Sequence, residues 1–112
     1  MTPIENAAEV TVAIHGTYMD ALRNIARSGG LNRMSRQAIH MAVGMPEDPG
    51  VRSGIRQSVE VVIYVDVDRA MRQGIPFYRL ENNVICSPGP IPCDCFVVVV
   101  RRDGAIVDLN LI

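Results

Sequence analysis

Val59-Glu60-Val61-Val62-Ile63-Tyr64-Val65, reached through the basic, glycine-broken turn Arg52-Ser53-Gly54-Ile55-Arg56, is the stretch that decides the fold. Apart from Glu60 and the phenol of Tyr64 the run is apolar and mostly β-branched, the pattern of a strand covered on both faces. A turn that carries two guanidiniums to the mouth of a buried strand can hold a phosphate through planar, charge-assisted hydrogen bonds. The glycine between them lets a ligand come close to the backbone. A solvated loop arginine has the same local sequence, so the turn alone leaves both readings open.

Working back towards the amino terminus, Gly44 to Gly54 is a long loop broken by glycine and proline. Before it, Ala38-Ile39-His40-Met41-Ala42 predicts a short strand with His40 facing away from Ile39 and Met41. Leu31 to Gln37 is a basic connector. Val10-Thr11-Val12-Ala13-Ile14 alternates as a strand and delivers His15-Gly16-Thr17 to a turn. Thr17 is a candidate N-cap with Asp20 three residues on, and the spacing of Leu22, Ile25 and Ala26 predicts a helix from Tyr18 to Arg27, stopped by Ser28-Gly29-Gly30. His15 therefore stands beside a helix start, where backbone donors favour an anion. It reads either as a ligand contact or as a hydrogen-bonded filler. Met1 to Glu9 is expected to be a loosely held lead-in.

Working forward, Asp66 or Asp68 is a cap for a short helix through Ala70, Met71 and Gln73, closed by Gly74. Ile75 to Tyr78 is extended, Asn82-Asn83 turns into the strand Val84 to Ser87, and Pro88-Gly89-Pro90 ends it. Pro90 to Cys95 is expected to be a loop. Phe96 to Val100 and Ala105 to Leu111 flank Asp103-Gly104 and predict a closing antiparallel pair. The sum is about six or seven strands and two helices in one α+β domain spanning residues 1–112.

Composition narrows the chemistry. A 48% hydrophobic and 21% charged chain is that of a folded globular protein, and 112 residues suit one core. No apolar run approaches the roughly 18 to 20 residues of a membrane span, and no signal segment opens the chain, so a cytoplasmic location with no membrane partner is expected. Cys86, Cys93 and Cys95 lack the second ligand pair of a zinc site and read as free thiols, so no metal is expected. All eleven basic residues are arginine, which excludes lysine nucleophiles and Schiff bases. A net charge of −1 lacks the basic excess of an autonomous nucleic-acid binder, so an anionic ligand must meet a local cluster, of which Arg33, Arg36, Arg52 and Arg56 are the best candidate. GxGxxG, Walker, HExxH and GxSxG signatures are absent.

His15-Gly16-Thr17, Arg36-Gln37-Ala38-Ile39-His40, Ser53-Gly54-Ile55-Arg56, Glu60-Val61-Val62-Ile63-Tyr64-Val65-Asp66, Gly74-Ile75-Pro76-Phe77-Tyr78-Arg79 and Asn83-Val84-Ile85 together resemble the tRNA 2′-phosphotransferases. They fall in that family's order from His15 to about Gly89, roughly two thirds of the chain. The resemblance implies the ADP-ribosyltransferase fold, a split β-sheet with a few short helices cradling NAD as co-substrate. It implies a reaction in which the 2′-phosphate of an RNA, in the family a tRNA, is moved to NAD, releasing nicotinamide and ADP-ribose 1″,2″-cyclic phosphate. By the same resemblance Arg56 and His40 are catalytic, with Arg56 gripping the 2′-phosphate, while His15, Gly16, Thr17, Ser53, Gly54, Arg79 and Val84 bind NAD. Val84 stands where other ADP-ribosyltransferases often place a glutamate, which a phosphate nucleophile does not need.

Two departures stand out. Ala38 replaces the first histidine of the family's His-Ile-His pattern. The family also has an amino-terminal lobe that supplies further arginines to the phosphate site, and Met1 to Thr11 is too short to hold it, so only the carboxy-terminal lobe is expected here. These departures keep two other functions open: an ADP-ribosyltransferase acting on another acceptor, such as a terminal phosphate or a protein, and a non-catalytic module that binds NAD or ADP-ribose.

Overall fold

The computed structural model describes residues 1–49 and 53–112. Arg52, one of the two guanidiniums of the turn quoted above, lies outside them. The chain is α+β, and the described residues hold nine short strands: β1 (Thr2–Pro3), β2 (Ile14–Thr17), β3 (Gly30–Leu31), β4 (Ile39–Met41), β5 (Val61–Val65), β6 (Tyr78–Arg79), β7 (Ile85–Ser87), β8 (Ile91–Pro92) and β9 (Phe96–Arg101). Two α-helices, α1 (Met19–Ser28) and α2 (Val67–Arg72), lie between them.

β5 is the centre of a three-stranded antiparallel sheet in the order β2-β5-β9. Val61, Val62 and Ile63 are all buried, so the strand is covered on both faces as its composition predicts. A second sheet runs β1-β6-β7-β4, and β3 pairs with β8 in a small ribbon. The two larger sheets touch through one bridge, in which Ile14 and Ala42 exchange backbone hydrogen bonds of 2.9 and 2.8 Å. Beyond that bridge the strands diverge. Leu22, Phe77, Ile85 and Ile91 fill the core with the inner residues of β5.

Several local expectations are corrected. The strand expected from Val10 begins only at Ile14, and His15 lies within it rather than at its end. The lead-in is not loose: Thr2–Pro3 pairs with Tyr78–Arg79, and Asn6 and Glu9 form a reciprocal capping box around the turn Ala7–Glu9. Thr17 is not the cap of α1. It is the last residue of β2, its carbonyl takes the Glu60 N–H at 2.9 Å, and Tyr18 holds the cap position. Tyr18 has no side-chain cap bond of its own, and the Met19 N–H is satisfied instead by the Glu60 carboxylate at 2.9 Å. The one acid in the run is thereby used at the start of α1.

Gly29 ends α1 at φ 91°, as the stop signal predicts. Asp66, not Asp68, caps α2 by accepting from the Arg69 N–H at 3.0 Å. Pro90 to Cys95 is not a plain loop, since Ile91–Pro92 pairs with Gly30–Leu31. The pairing depends on Gly30, where an added Cβ would sit 2.4 Å from the Ile91 carbonyl oxygen. The closing hairpin turns at Gly104, φ 95°, but its second arm forms no full strand among the described residues: it is held by the Arg101 N–H to the Ala105 carbonyl at 2.7 Å, the Val100–Ile106 bridge and the Val107 N–H to the Val99 carbonyl at 2.8 Å. Asp108 then caps the turn Leu109–Leu111 with its own side chain and draws the backbone off the ladder.

Candidate active site

Where the two sheets diverge, a cleft of about 820 Å³ opens. One side is β2 with one face of α1 (Ala21, Asn24, Ile25 and Ser28), another is β4 with the connector that precedes it, and the third is the segment from Gly54 to Val59. His15, Gly16, Thr17, His40, Gly54, Arg56 and Val84 all line it. Residues separated by up to 69 positions in sequence therefore meet in one place.

His15 is half-buried and its Nδ1 donates to the His40 carbonyl at 2.9 Å. That bond fixes the tautomer: the proton sits on Nδ1 and Nε2 keeps a lone pair for a ligand hydroxyl. Burial holds the ring below its ordinary value of 6.5, the bond to the His40 carbonyl opposes this, and the nearby side chains of Arg36 and His40 depress it further. His15 is therefore neutral at pH 7. The His40 side chain is exposed, on the opposite side from buried Ile39 and Met41, as strand alternation predicts.

Gly16 contributes its backbone. Ile14 spends its N–H and C=O on Ala42, so two residues later the N–H and C=O of Gly16 face the same side, where β4 has parted company. Among the described residues no backbone hydrogen bond joins Gly16 to His40, the next pair in that register. A donor and an acceptor side by side are thus free for an amide-like group. Glycine is also needed for packing: a Cβ here would lie 3.1 Å from Ile55 and 3.2 Å from Val59.

The electrostatics of the cleft differ from those of the chain. Arg33, Arg36 and Arg56 line it, and no Asp or Glu does. Elsewhere four arginines stand within ion-pair distance of a carboxylate, Arg23 with Asp20, Arg69 with Asp94, Arg72 with Asp68 and Arg102 with Glu47. Among the described residues none of the three cleft arginines has a carboxylate partner within ion-pair distance. Arg33 donates to the Arg36 carbonyl at 3.1 Å, which braces the connector that carries both. The cleft is therefore built for anions inside a chain of net charge −1.

Two expected ligand-binding residues are not in the lining. Ser53 accepts from the Ile55 N–H at 3.2 Å and shapes the turn instead. Arg79 sits on β6, where its guanidinium donates to the Glu9 carbonyl at 2.8 Å and to the Asn83 side chain. Those bonds occupy it as a brace for the lead-in. Ala38 lines the cleft and leaves space where a larger side chain would stand. Tyr18, which the sequence pattern did not single out, also lines it, and its hydroxyl meets Ser58 Oγ at 2.8 Å across forty residues of sequence. A contact at that separation leaves no periodic signal. Among the described residues no three His, Cys, Asp or Glu side chains cluster as metal ligands, and no helix is long and apolar enough to cross a membrane.

The family model described as RNA 2′-phosphotransferase, Tpt1 / KptA family, matches residues 1–89. The chain is 41% identical over 100 residues to tRNA 2′-phosphotransferase 1 of Danio rerio, an alignment that covers 73% of this chain and 44% of that protein. It is 41% identical over 90 residues to tRNA 2′-phosphotransferase 1 of Mus musculus, covering 80% and 36%. With tRNA 2′-phosphotransferase of Saccharomyces cerevisiae the identity is 34% over 104 residues, covering 91% and 45%. The chain thus spans less than half the length of these relatives.

Proposed function

Because the chain belongs to the RNA 2′-phosphotransferase family, we propose that its cleft binds NAD and moves a 2′-phosphate from RNA, in the family's manner from tRNA, onto it. The observation that carries this reading is the convergence of His15, Gly16, His40 and Arg56 on one arginine-lined cleft without a carboxylate. We further propose that the parting of the two sheets at Ile14–Ala42 is the split of an ADP-ribosyltransferase-like fold, with NAD in the gap, and that residues 1–112 form one such domain, corresponding to the carboxy-terminal lobe.

In this reading Gly16 offers its N–H and C=O to the nicotinamide carboxamide, and His15 Nε2 accepts from a hydroxyl of the adjoining ribose. Thr17, Gly54 and Val84 complete the walls, with Val84 placing no carboxylate beside the incoming phosphate. First, a 2′-phosphate oxygen attacks ribose C1″ while the C1″–nitrogen bond breaks, and its electron pair leaves with neutral nicotinamide. The nucleophile is already an anion, so no base is required. Next, the ribose 2″-hydroxyl attacks phosphorus and the bond to the RNA 2′-oxygen breaks. The proton lost by the 2″-hydroxyl ends on that oxygen, giving RNA with a free 2′-hydroxyl and ADP-ribose 1″,2″-cyclic phosphate. Arg56 holds the phosphate through both steps and offsets the charge that builds in the second. His40, exposed on the cleft wall, contacts the same phosphate. The protein's task is positioning and charge stabilisation.

Incubation with NAD and a 2′-phosphorylated oligoribonucleotide tests this. Cyclic phosphate formed in step with nicotinamide supports it. Nicotinamide released only with a different acceptor, or NAD bound without turnover, contradicts it and points respectively to an ADP-ribosyltransferase and to a binding module.

A further inference from the structure

The turn that carries Arg56 is not part of either sheet, yet its distance from His15 and Gly16 decides whether a phosphate and NAD can meet. Its ends are held unequally. On the upstream side Ile55 packs on Gly16, close enough that an added Cβ would stand 3.1 Å away. On the downstream side Glu60 is fixed twice, its N–H to the Thr17 carbonyl and its carboxylate to the Met19 N–H, each at 2.9 Å. Between these anchors the one backbone–backbone bond among the described residues is the long one from the Val59 N–H to the Arg56 carbonyl, 3.3 Å, and the Gln57 carbonyl takes a bond of 3.5 Å from the Arg102 guanidinium. Ser58 lies within this weakly closed stretch, two residues after Arg56, and its hydroxyl meets the phenol of Tyr18 at 2.8 Å. Tyr18 sits on the β2–α1 junction, directly after His15-Gly16-Thr17.

We propose that the Tyr18–Ser58 hydrogen bond is a clasp that sets the Arg56 turn against the strand carrying His15 and Gly16, making Tyr18 a positioning residue for the phosphate-cleaving second step. Tyr18 is held at its backbone by the helix start, where its carbonyl takes the Leu22 N–H at 2.9 Å; Ser58, on a short side chain, carries the contact with the phenol to the turn. The proposal rests on the proposed function for its kinetic consequence, and on the geometry alone for its effect on the turn. The two steps respond differently. Departure of nicotinamide depends on the His15–Gly16 side, which the clasp does not hold, whereas attack of the 2″-hydroxyl on phosphorus depends on Arg56 being in register with the ribose.

The test compares Tyr18→Phe, Ser58→Ala, the double variant and Tyr18→Leu in the full chain. Tyr18→Phe and Ser58→Ala are each expected to slow cyclic-phosphate release about five- to tenfold, the loss one neutral hydrogen bond is worth. Nicotinamide release and NAD affinity stay within about twofold. RNA joined through its 2′-phosphate to ADP-ribose then accumulates, and the double variant is no worse than either single one. Site-resolved amide exchange gives a readout without turnover: Gly54 to Ser58 exchange faster in Tyr18→Phe while Val61 to Val65 are unchanged. Activity in Tyr18→Phe equal to the parent with loss only in Tyr18→Leu shows that the ring packs on ligand instead, and overturns the clasp. Unchanged exchange across Gly54 to Ser58 overturns it as well. If the parent makes no cyclic phosphate, the proposed function fails, and the exchange comparison still decides the clasp.

Discussion

His15 Nδ1 and the carbonyl oxygen of His40 lie 2.9 Å apart, and this bond crosses from one sheet to the other just beyond the Ile14–Ala42 backbone bridge. The side chain of one motif is thereby oriented by the backbone of another, and in the proposed function the lone pair left on Nε2 accepts from a ribose hydroxyl. His15→Ala removes that acceptor and the cross-sheet bond together. Calorimetric titration is expected to show NAD binding about tenfold weaker, with binding of a 2′-phosphorylated oligonucleotide little changed.

The protonation of His15 sets a direction in pH. Burial lowers its value below 6.5 in the folded chain, so the unfolded chain binds the proton more readily. Its contribution to stability is fully present above about pH 6.5 and is lost as pH falls below that towards the depressed folded value. Denaturation followed between pH 7.5 and 5 is expected to show stability declining with acid, and His15→Gln is expected to flatten the decline. The same slope in both proteins assigns it to other groups.

Glu60 has a structural task that its surroundings in sequence hide. As the acceptor for the Met19 N–H it caps α1 from a distant strand. Glu60→Ala is expected to cost about 1 kcal/mol in chemical denaturation, the usual worth of a helix cap. Glu60→Gln, which keeps an acceptor oxygen, recovers most of it.

Much of the framework is legible in the sequence because it is written in short-range signals. The apolar run of β5, the glycine that stops α1, the alternation that exposes His40, and Asp66 before α2 each follow from neighbours within a few residues. What escapes are contacts between distant residues. Nothing near Thr17 says that Glu60 will supply the cap, nothing near Tyr18 points to Ser58, and the depth to which Gly30 admits the Ile91 backbone is a property of two strands at once. The site divides in the same way. His15, Gly16, His40 and Arg56 are found through motif resemblance and meet in the cleft, whereas Arg79 belongs to a motif but is held elsewhere by Glu9 and Asn83.

Arg79 accordingly tests the difference between motif membership and geometry. Arg79→Met is expected to lower stability by about 1 to 2 kcal/mol through loss of its bonds to the Glu9 carbonyl and the Asn83 side chain. NAD affinity measured by calorimetry is expected to stay within about twofold. A tenfold loss of NAD affinity in a variant that remains folded would return Arg79 to the binding site.

In the proposed function Arg56 holds a phosphate in the cleft for transfer to NAD. The most direct measurement is the rate of ADP-ribose 1″,2″-cyclic phosphate formation from a 2′-phosphorylated oligoribonucleotide, in the parent chain and in Arg56→Ala, at saturating NAD. The account predicts product from the parent and a fall of at least about a hundredfold in the variant, the scale for removing a charge-stabilising donor. Equal rates in the two proteins would contradict it.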